Sequence, residues 1–376
     1  DCVDAVDVET ICILVGMMLL VAVIKNSGIF EYIAIKAAKI AKGRPWPIMV
    51  IFILITAVCS GMLDNVTTVL LVGPMTLAIT NILKVDPVPY IITQIMASNI
   101  GGTATLIGDP PNIMIGSAAK LGFVDFILNT GVATIFVIIV GLICMYFIYG
   151  RKLFVTDESI AKVMQLDENK AIKDRKLMHE SVIVIILVAL CFIFHDQLGV
   201  QSCTVAIAAA CIMLLIGGQE PEEIIADVEW PTILFFIGLF IVVGGMKKVG
   251  VITMLANGLI SITHGNMIVT MMVILWVSAI VSSFLDNIPF VATLIPMILT
   301  MQAEGMDVAP IWWALSLGAC LGGNGTLIGA SANVVLSGIS KNNGHPITFG
   351  QYFKIGFPMM ILSIIVCSVF LLIRFA

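Results

Sequence analysis

Charge is what this sequence has least of. Of its 376 residues, 11% are Asp, Glu, Lys or Arg and 60% are hydrophobic, so the chain lacks the polar shell that a soluble protein of this length needs. Alternating polar and apolar residues are also missing from its apolar runs, which are continuous, and that excludes a membrane barrel in favour of helices. The nine cysteines are scattered singly with no CxxC and no Cys/His cluster, which removes a disulfide framework and a zinc site. Histidine is scarce too: His179, His195, His264 and His345 all lie near the ends of apolar segments. No GxxxxGK[ST] occurs, so the chain does not drive anything with ATP by itself. The first apolar run is preceded by acids rather than a basic stretch and reads as a span, not a cleavable leader. The net charge of −5 says little about partners, and no nucleic acid is expected among them.

What is present is a duplication. IKNSGIF (24–30) matches MKKVGVI (246–252), and SGMLDNVTTVLLVGPM (60–75) matches SSFLDNIPFVATLIPM (282–297), both 222 residues apart. After a slip of one residue, IGGTATLIGDPPN (100–112) matches LGGNGTLIGASAN (321–333). The chain therefore divides into a first repeat (1–150), a charged loop with two connecting helices (151–228) and a second repeat (229–376). In the first repeat we expect a span at 10–30, an interfacial amphipathic stretch at 31–44, apolar arms at 46–63 and 66–83, a broken span at 88–120 and a further span at 126–150. After a charged loop (151–178), spans are expected at 180–196 and 200–217. The second repeat replays the first: a span at 231–248, an interfacial stretch, arms at 266–285 and 288–303, a broken span at 309–341 and a last span at 354–374.

Whether the paired arms are re-entrant hairpins or full spans, an odd number of crossings separates the repeats, which makes their topologies inverted. Fifteen Lys/Arg fall on one side and four on the other; the richer side, with the loop 151–178, is expected to be cytoplasmic. The spans at 180–217 have no counterpart before residue 7, and the chain begins at Asp1 without methionine. Two helices lost upstream are the expectation, and a genuine linker is the alternative.

Within the broken span, Gly101 and Gly102 weaken the helix and Pro110 and Pro111 donate no backbone hydrogen bond, so it should unwind between about 99 and 109. Asp109 is placed to cap a new half-helix, with Ser331 as its counterpart in the second copy. Each half-helix would then point its N-terminal dipole into the break. Asp64-Asn65 and Asp286-Asn287 interrupt long uncharged stretches at the tips of the paired arms. An aspartate at the centre of a lone span costs about 2.5–3.5 kcal/mol, whereas tips meeting at a shared midplane cavity would keep both acids wet. Plain capping by Asp64, Asp109 and Asp286, and plain helix packing at the glycines, are the structural alternatives. Cys59 and Cys320 lie near the motifs, but a trigonal thiolate site for a soft metalloid needs three thiols.

At these residues the sequence resembles the ion transporter superfamily, in its arsenite-permease and P-protein-like branch, and more distantly the divalent-anion:sodium symporters. The distant relatives carry Ser-Asn-Thr at the tips and a GTPPN-like break, where this chain has Asp64-Asn65-Val66, Asp286-Asn287-Ile288 and GDPPN. The resemblance implies an all-α polytopic protein of two inverted repeats, each with a re-entrant helical hairpin and a broken transmembrane helix. It also implies elevator-type access and a homodimer. Matching positions put Asn65, Thr67, Gly101, Gly102, Thr103, Thr105 and Asn112, with Asn287, Gly322, Gly323, Asn324, Thr326 and Asn333, around the substrate or coupling ion, beside Asp64, Asp109, Asp286 and Ser331. The aspartate at both tips is a departure, because two added carboxylates repel a dianion unless protons or cations neutralise them.

The expected function is secondary transport of a small inorganic ion or small solute, coupled to protons or to a cation such as sodium, with no other metal and no cofactor. Sodium/proton antiport and arsenite or antimonite efflux lead, and a citrate-like organic anion is the alternative. A channel and an intramembrane aspartyl protease of Asp64 and Asp109 are the remaining classes. The duplication speaks against the protease, since Ala330 matches Asp109. An ATPase subunit acting in trans is compatible with the sequence.

Overall fold

A computed structural model describes residues 3–263 and 265–375, apart from the side chains of 195–198. Asp1, His264 and the side chain of His195 thus lie outside the described residues. Among those residues every regular element is helical. A short 3-10 turn leads into α1 (Val8–Lys25), which Asp7 caps by accepting from the backbone of Glu9 and Thr10. The chain continues through α2 (Ile29–Ile40), α3 (Pro45–Met62), α4 (Asn65–Leu83), α5 (Val88–Thr103) and α6 (Pro110–Ala119). Next, α7 (Phe123–Phe126) runs through a π turn, Ile127–Gly131, into α8 (Val132–Ile148).

The stretch expected as a plain charged loop contains α9 (Asp157–Met164), capped by Thr156. Then come α10 (Arg175–Leu198), α11 (Ser202–Ile216), α12 (Pro221–Ala226), α13 (Trp230–Lys248) and α14 (Val251–Thr263). The remainder is α15 (Met267–Ser282), α16 (Asn287–Ala303), α17 (Ala309–Gly322), α18 (Ser331–Asn342) and α19 (Phe349–Phe375). By length and composition, seven helices among the described residues can cross a membrane, or eight if α14 and α15 are one bent span.

Packing follows the glycines. In the sequence Gly101 and Gly102 mark the start of unwinding, yet both are helical and the chain leaves the helix only after Thr103. The reason is steric: α5 lies so close to α3 that a Cβ on Gly101 would collide with the Ala57 carbonyl. The second copy repeats this, with a Cβ on Gly322 falling 2.6 Å from the Ala279 oxygen. These glycines let two helices touch backbone to backbone. The helices α5 and α17 pack on each other, α17 also on α6, and α18 on α4 and α5, so the two broken spans are interleaved. Alongside lies α1, against α6, α11 and α13. Lys25 at the C-terminal end of α1 pairs with Asp227 just before α13 at 2.7 Å, and Ala5, before α1, sits against Gly244 near the far end of α13. The two helices are therefore antiparallel.

Candidate functional site

Broken backbone at membrane depth must have its polar groups answered from within. In the first break, the Asn112 amide donates to the carbonyls of Gly102 (3.3 Å), Thr103 (3.2 Å) and Thr105 (2.9 Å). In the second, Asn333 donates to Gly323 at 2.7 Å and Thr326 at 2.8 Å. The hydroxyl of Thr105 donates to the Gly61 carbonyl and that of Thr326 to Ser283. Ser60 and Ser282 donate to the carbonyls of Ser98 and Ala319, at 2.6 Å in each case. Except for the Asn112 bond to Thr103, each bond has its partner 221 or 222 residues along. Four expected ligands, Asn112, Asn333, Thr105 and Thr326, thus spend donors on holding the unwound backbone.

The tips bring the acids in. Asp64 precedes α4 and accepts from both the backbone N–H, at 2.8 Å, and the hydroxyl of Thr67. Asp286 accepts from the Ile288 N–H at 3.2 Å and from the Ser331 hydroxyl at 3.0 Å. Two expectations need correction here. Asp109 occupies the cap position of α6, but its side chain accepts from no N–H of that helix; the carboxylate turns away to accept from Asn287. Ser331 is not a cap: Ala330 holds that position, and the serine hydroxyl is directed at Asp286. Asp109 therefore serves the other repeat rather than its own helix.

These groups meet in a cavity of about 30 Å³ lined by Asp64, Asn65, Asp109, Asn287 and Ser331, together with Glu229 and Thr232 from α13 and its start. Asp64 is 6% exposed and Asp109 1%. The charges of Asp64 and Asp286 both bear on Asp109. No basic side chain is among the described residues that line it. The space holds a water molecule or a small cation, and a tricarboxylate is several times too large for it in this state.

Behind the cavity, Asn99 ties the halves together. Its amide donates to Asn324 at 3.0 Å and Asn333 at 2.9 Å, and its oxygen accepts from Asn65 at 3.4 Å. Thr103 donates to the Asn99 carbonyl within α5. Ser316 donates to Asn112 at 2.6 Å, and the Cys320 thiol lies 3.5 Å from the same oxygen. Asn99, Ser316 and Glu229 escaped the sequence reading. The signal for Asn99 was its match to Cys320, since each reaches the asparagine of the opposite break. Gly101, Gly102, Gly322 and Gly323 line no part of the cavity, nor do Cys59 and Cys320.

A fold of many apolar helices around a buried, acid-lined break is that of an integral multi-pass membrane transporter. The chain belongs to the citrate transporter family, whose model matches residues 1–318, within the ion transporter superfamily. It is 42% identical over 374 residues to an uncharacterized transporter of Mycobacterium tuberculosis, covering 98% of this chain and 87% of that one. It is 33% identical over 452 residues to the human P protein, covering 99% of this chain and 54% of the relative. Among solved structures it resembles the YdaH transporter of Alcanivorax borkumensis, whose crystal structure is described as having an unusual topology. That match has a TM-score of 0.64 and 15% identity over 96% of this chain and 84% of the other, a likeness of fold alone.

Proposed function

We propose that the protein is a secondary active transporter in which Asp64, Asp109 and Asp286 bind protons or a small cation such as sodium and exchange them for the transported ion. The observation that carries this reading is the cavity: two aspartates line it, a third bonds to its Ser331, no described basic residue offsets them, and the space fits an ion. Carboxylates that share a poorly solvated site are not all ionised without a cation among them. Binding a proton and binding a cation are then alternatives at one place, which is the elementary requirement for antiport.

In this reading residues 1–150 and 229–376 are inverted repeats, α3–α4 and α15–α16 are re-entrant hairpins, and the interleaved breaks move as one body past α1 and α13. The lysine-rich side is cytoplasmic, and the functional unit is a homodimer. Sodium/proton antiport and arsenite or antimonite efflux both suit a site of this size. A second reading, cation-coupled transport of a citrate-like anion, is favoured by the family's description and requires the acids to be neutralised first and the cavity to open.

The test is proton flux from acid-loaded proteoliposomes on adding sodium, lithium, arsenite or citrate in turn. Release by one of the first three supports the leading reading and names the ion; no release by these, with proton or sodium uptake on adding citrate, supports the second. Saturable flux separates a carrier from a channel.

A further inference from the structure

The duplication extends to two acids outside the motifs. Asp7 immediately precedes α1 and Glu229 immediately precedes α13, 222 residues apart. Thr10 donates its hydroxyl to Asp7 at 2.7 Å and Thr232 donates its own to Glu229 at 3.2 Å, at the same spacing. Because α1 and α13 are antiparallel, these matched acids stand at opposite ends of the helix pair.

Their surroundings differ in a telling way. The Glu229 side chain accepts from no N–H of α13, so its carboxylate is not spent on capping that helix; it lines the small cavity with Asp64 and Asp109, and the Asp64 charge reaches it. Asp7 instead lines a crevice of about 920 Å³ that includes Met114 of α6, Ala292 of α16 and Lys247 of α13. The crevice runs along α6 and α16, whose N-terminal ends meet at the cavity. Lys25 and Asp227 mark the Glu229 end as the side rich in basic residues. Lys247 and Lys248 mark the Asp7 end as the other.

We propose that Glu229 and Asp7 are the inner and outer hand-off carboxylates of the transporter, each receiving the proton or cation that leaves the Asp64 site on its own side of the membrane. The assignment rests on the cation-coupled reading above. In the present arrangement a proton leaving the Asp64 carboxyl adds to the Glu229 carboxylate, which leaves Asp64 ionised and able to hold a cation; Glu229 then gives the proton to cytoplasmic water. When the breaks slide along α1 and α13, Asp64 comes level with Asp7 and the exchange repeats outside. An acid on each static helix gives the moving site a release group at both ends of its travel. The charged neighbours differ: Asp64, Asp109 and the Lys25–Asp227 pair for Glu229, and Asp4, Glu9, Lys247 and Lys248 for Asp7.

The experiment uses the full chain in oriented proteoliposomes with sodium or lithium as the driving ion, varying pH on one face at a time. Glu229→Gln should slow flux about tenfold or more when cytoplasmic release limits it, and should shift the pH dependence of that face alone. Asp7→Asn, which keeps a good capping residue, should do the same on the outer face alone. Glu229→Asp and Asp7→Glu should restore much of the rate. Variants that shift both faces alike, or neither, while the wild type transports, overturn this assignment and leave the proposed function standing. A wild type silent toward every cation overturns the function and the assignment together.

Discussion

Asn287 holds its amide 3.3 Å from each oxygen of Asp109, across 178 residues of sequence. The bond joins the start of α16 to the break between α5 and α6, and neither segment provides it alone. Asn287→Ala should leave the buried carboxylate without this donor, at a cost of about 1–3 kcal/mol. In a cycle with Asp109→Asn the two changes should be non-additive. Thermal unfolding in detergent checks both; additive losses would mean that the two residues do not interact.

Asp64 caps α4, and its charge can be removed without removing the cap. Asparagine caps almost as well as aspartate, whereas alanine costs about 1 kcal/mol at such a position. Asp64→Asn should therefore keep the wild-type melting temperature and lose cation-dependent proton flux, while Asp64→Ala loses both. Asp286→Asn should behave as Asp64→Asn does. Unchanged flux in folded asparagine variants would reduce both aspartates to caps and move the site to the breaks.

Much of this arrangement was legible in the sequence, for a physical reason. In a chain so apolar, any aspartate, glycine pair or proline pair in mid-span is costly, so Asp64, Asp286 and the GDPPN break stand out against their background. The same contrast placed most helices, though α1 ends at Lys25 rather than near residue 30 and α5 continues to Thr103. What escaped were relations between segments. Gly101 looks like a helix breaker when only its propensity is considered, but it is kept helical by the approach of α3, which no local pattern reports. Asn99 and Ser316 look like ordinary polar residues of a helix until the opposite break is laid against them. The Asp109 side chain was expected on its own helix because a cap is a local device, and the better donor, Asn287, comes from the other repeat.

The close approach at Gly101 and Gly322 predicts a steric phenotype distinct from loss of the acids. Gly101→Ala forces α5 away from α3, and Gly322→Ala forces α17 from α15, each at about 1–3 kcal/mol or more because backbone and not a flexible side chain is in the way. Both variants should melt earlier and yield less folded protein. Gly338, with nothing near its Cβ, provides the control: alanine there should be neutral or slightly stabilising, as expected within a helix. Equal melting of Gly101→Ala and wild type would show that the two helices are free to separate.

The last prediction concerns what holds the breaks open. Asn112 serves three carbonyls with one amide and accepts from Ser316 with its oxygen. Asn112→Asp keeps the shape and the acceptor but removes the donor, and it adds a fourth carboxylate to the neighbourhood of Asp109. Asn112→Ala removes donor and acceptor and leaves a void. If the amide's task is to answer unwound backbone, the two variants should lose comparable stability, each more than Thr105→Val, which gives up the hydroxyl's bond to the Gly61 carbonyl and the one it accepts from the Gly108 N–H, each worth about 1 kcal/mol. If Asn112 instead contacts the transported ion directly, Asn112→Asp should fold well and change the ion preference of flux toward higher cation affinity. Measuring melting temperature and sodium dependence on the same preparations decides between a structural strut and a ligand, and the three bonds to carbonyls favour the strut.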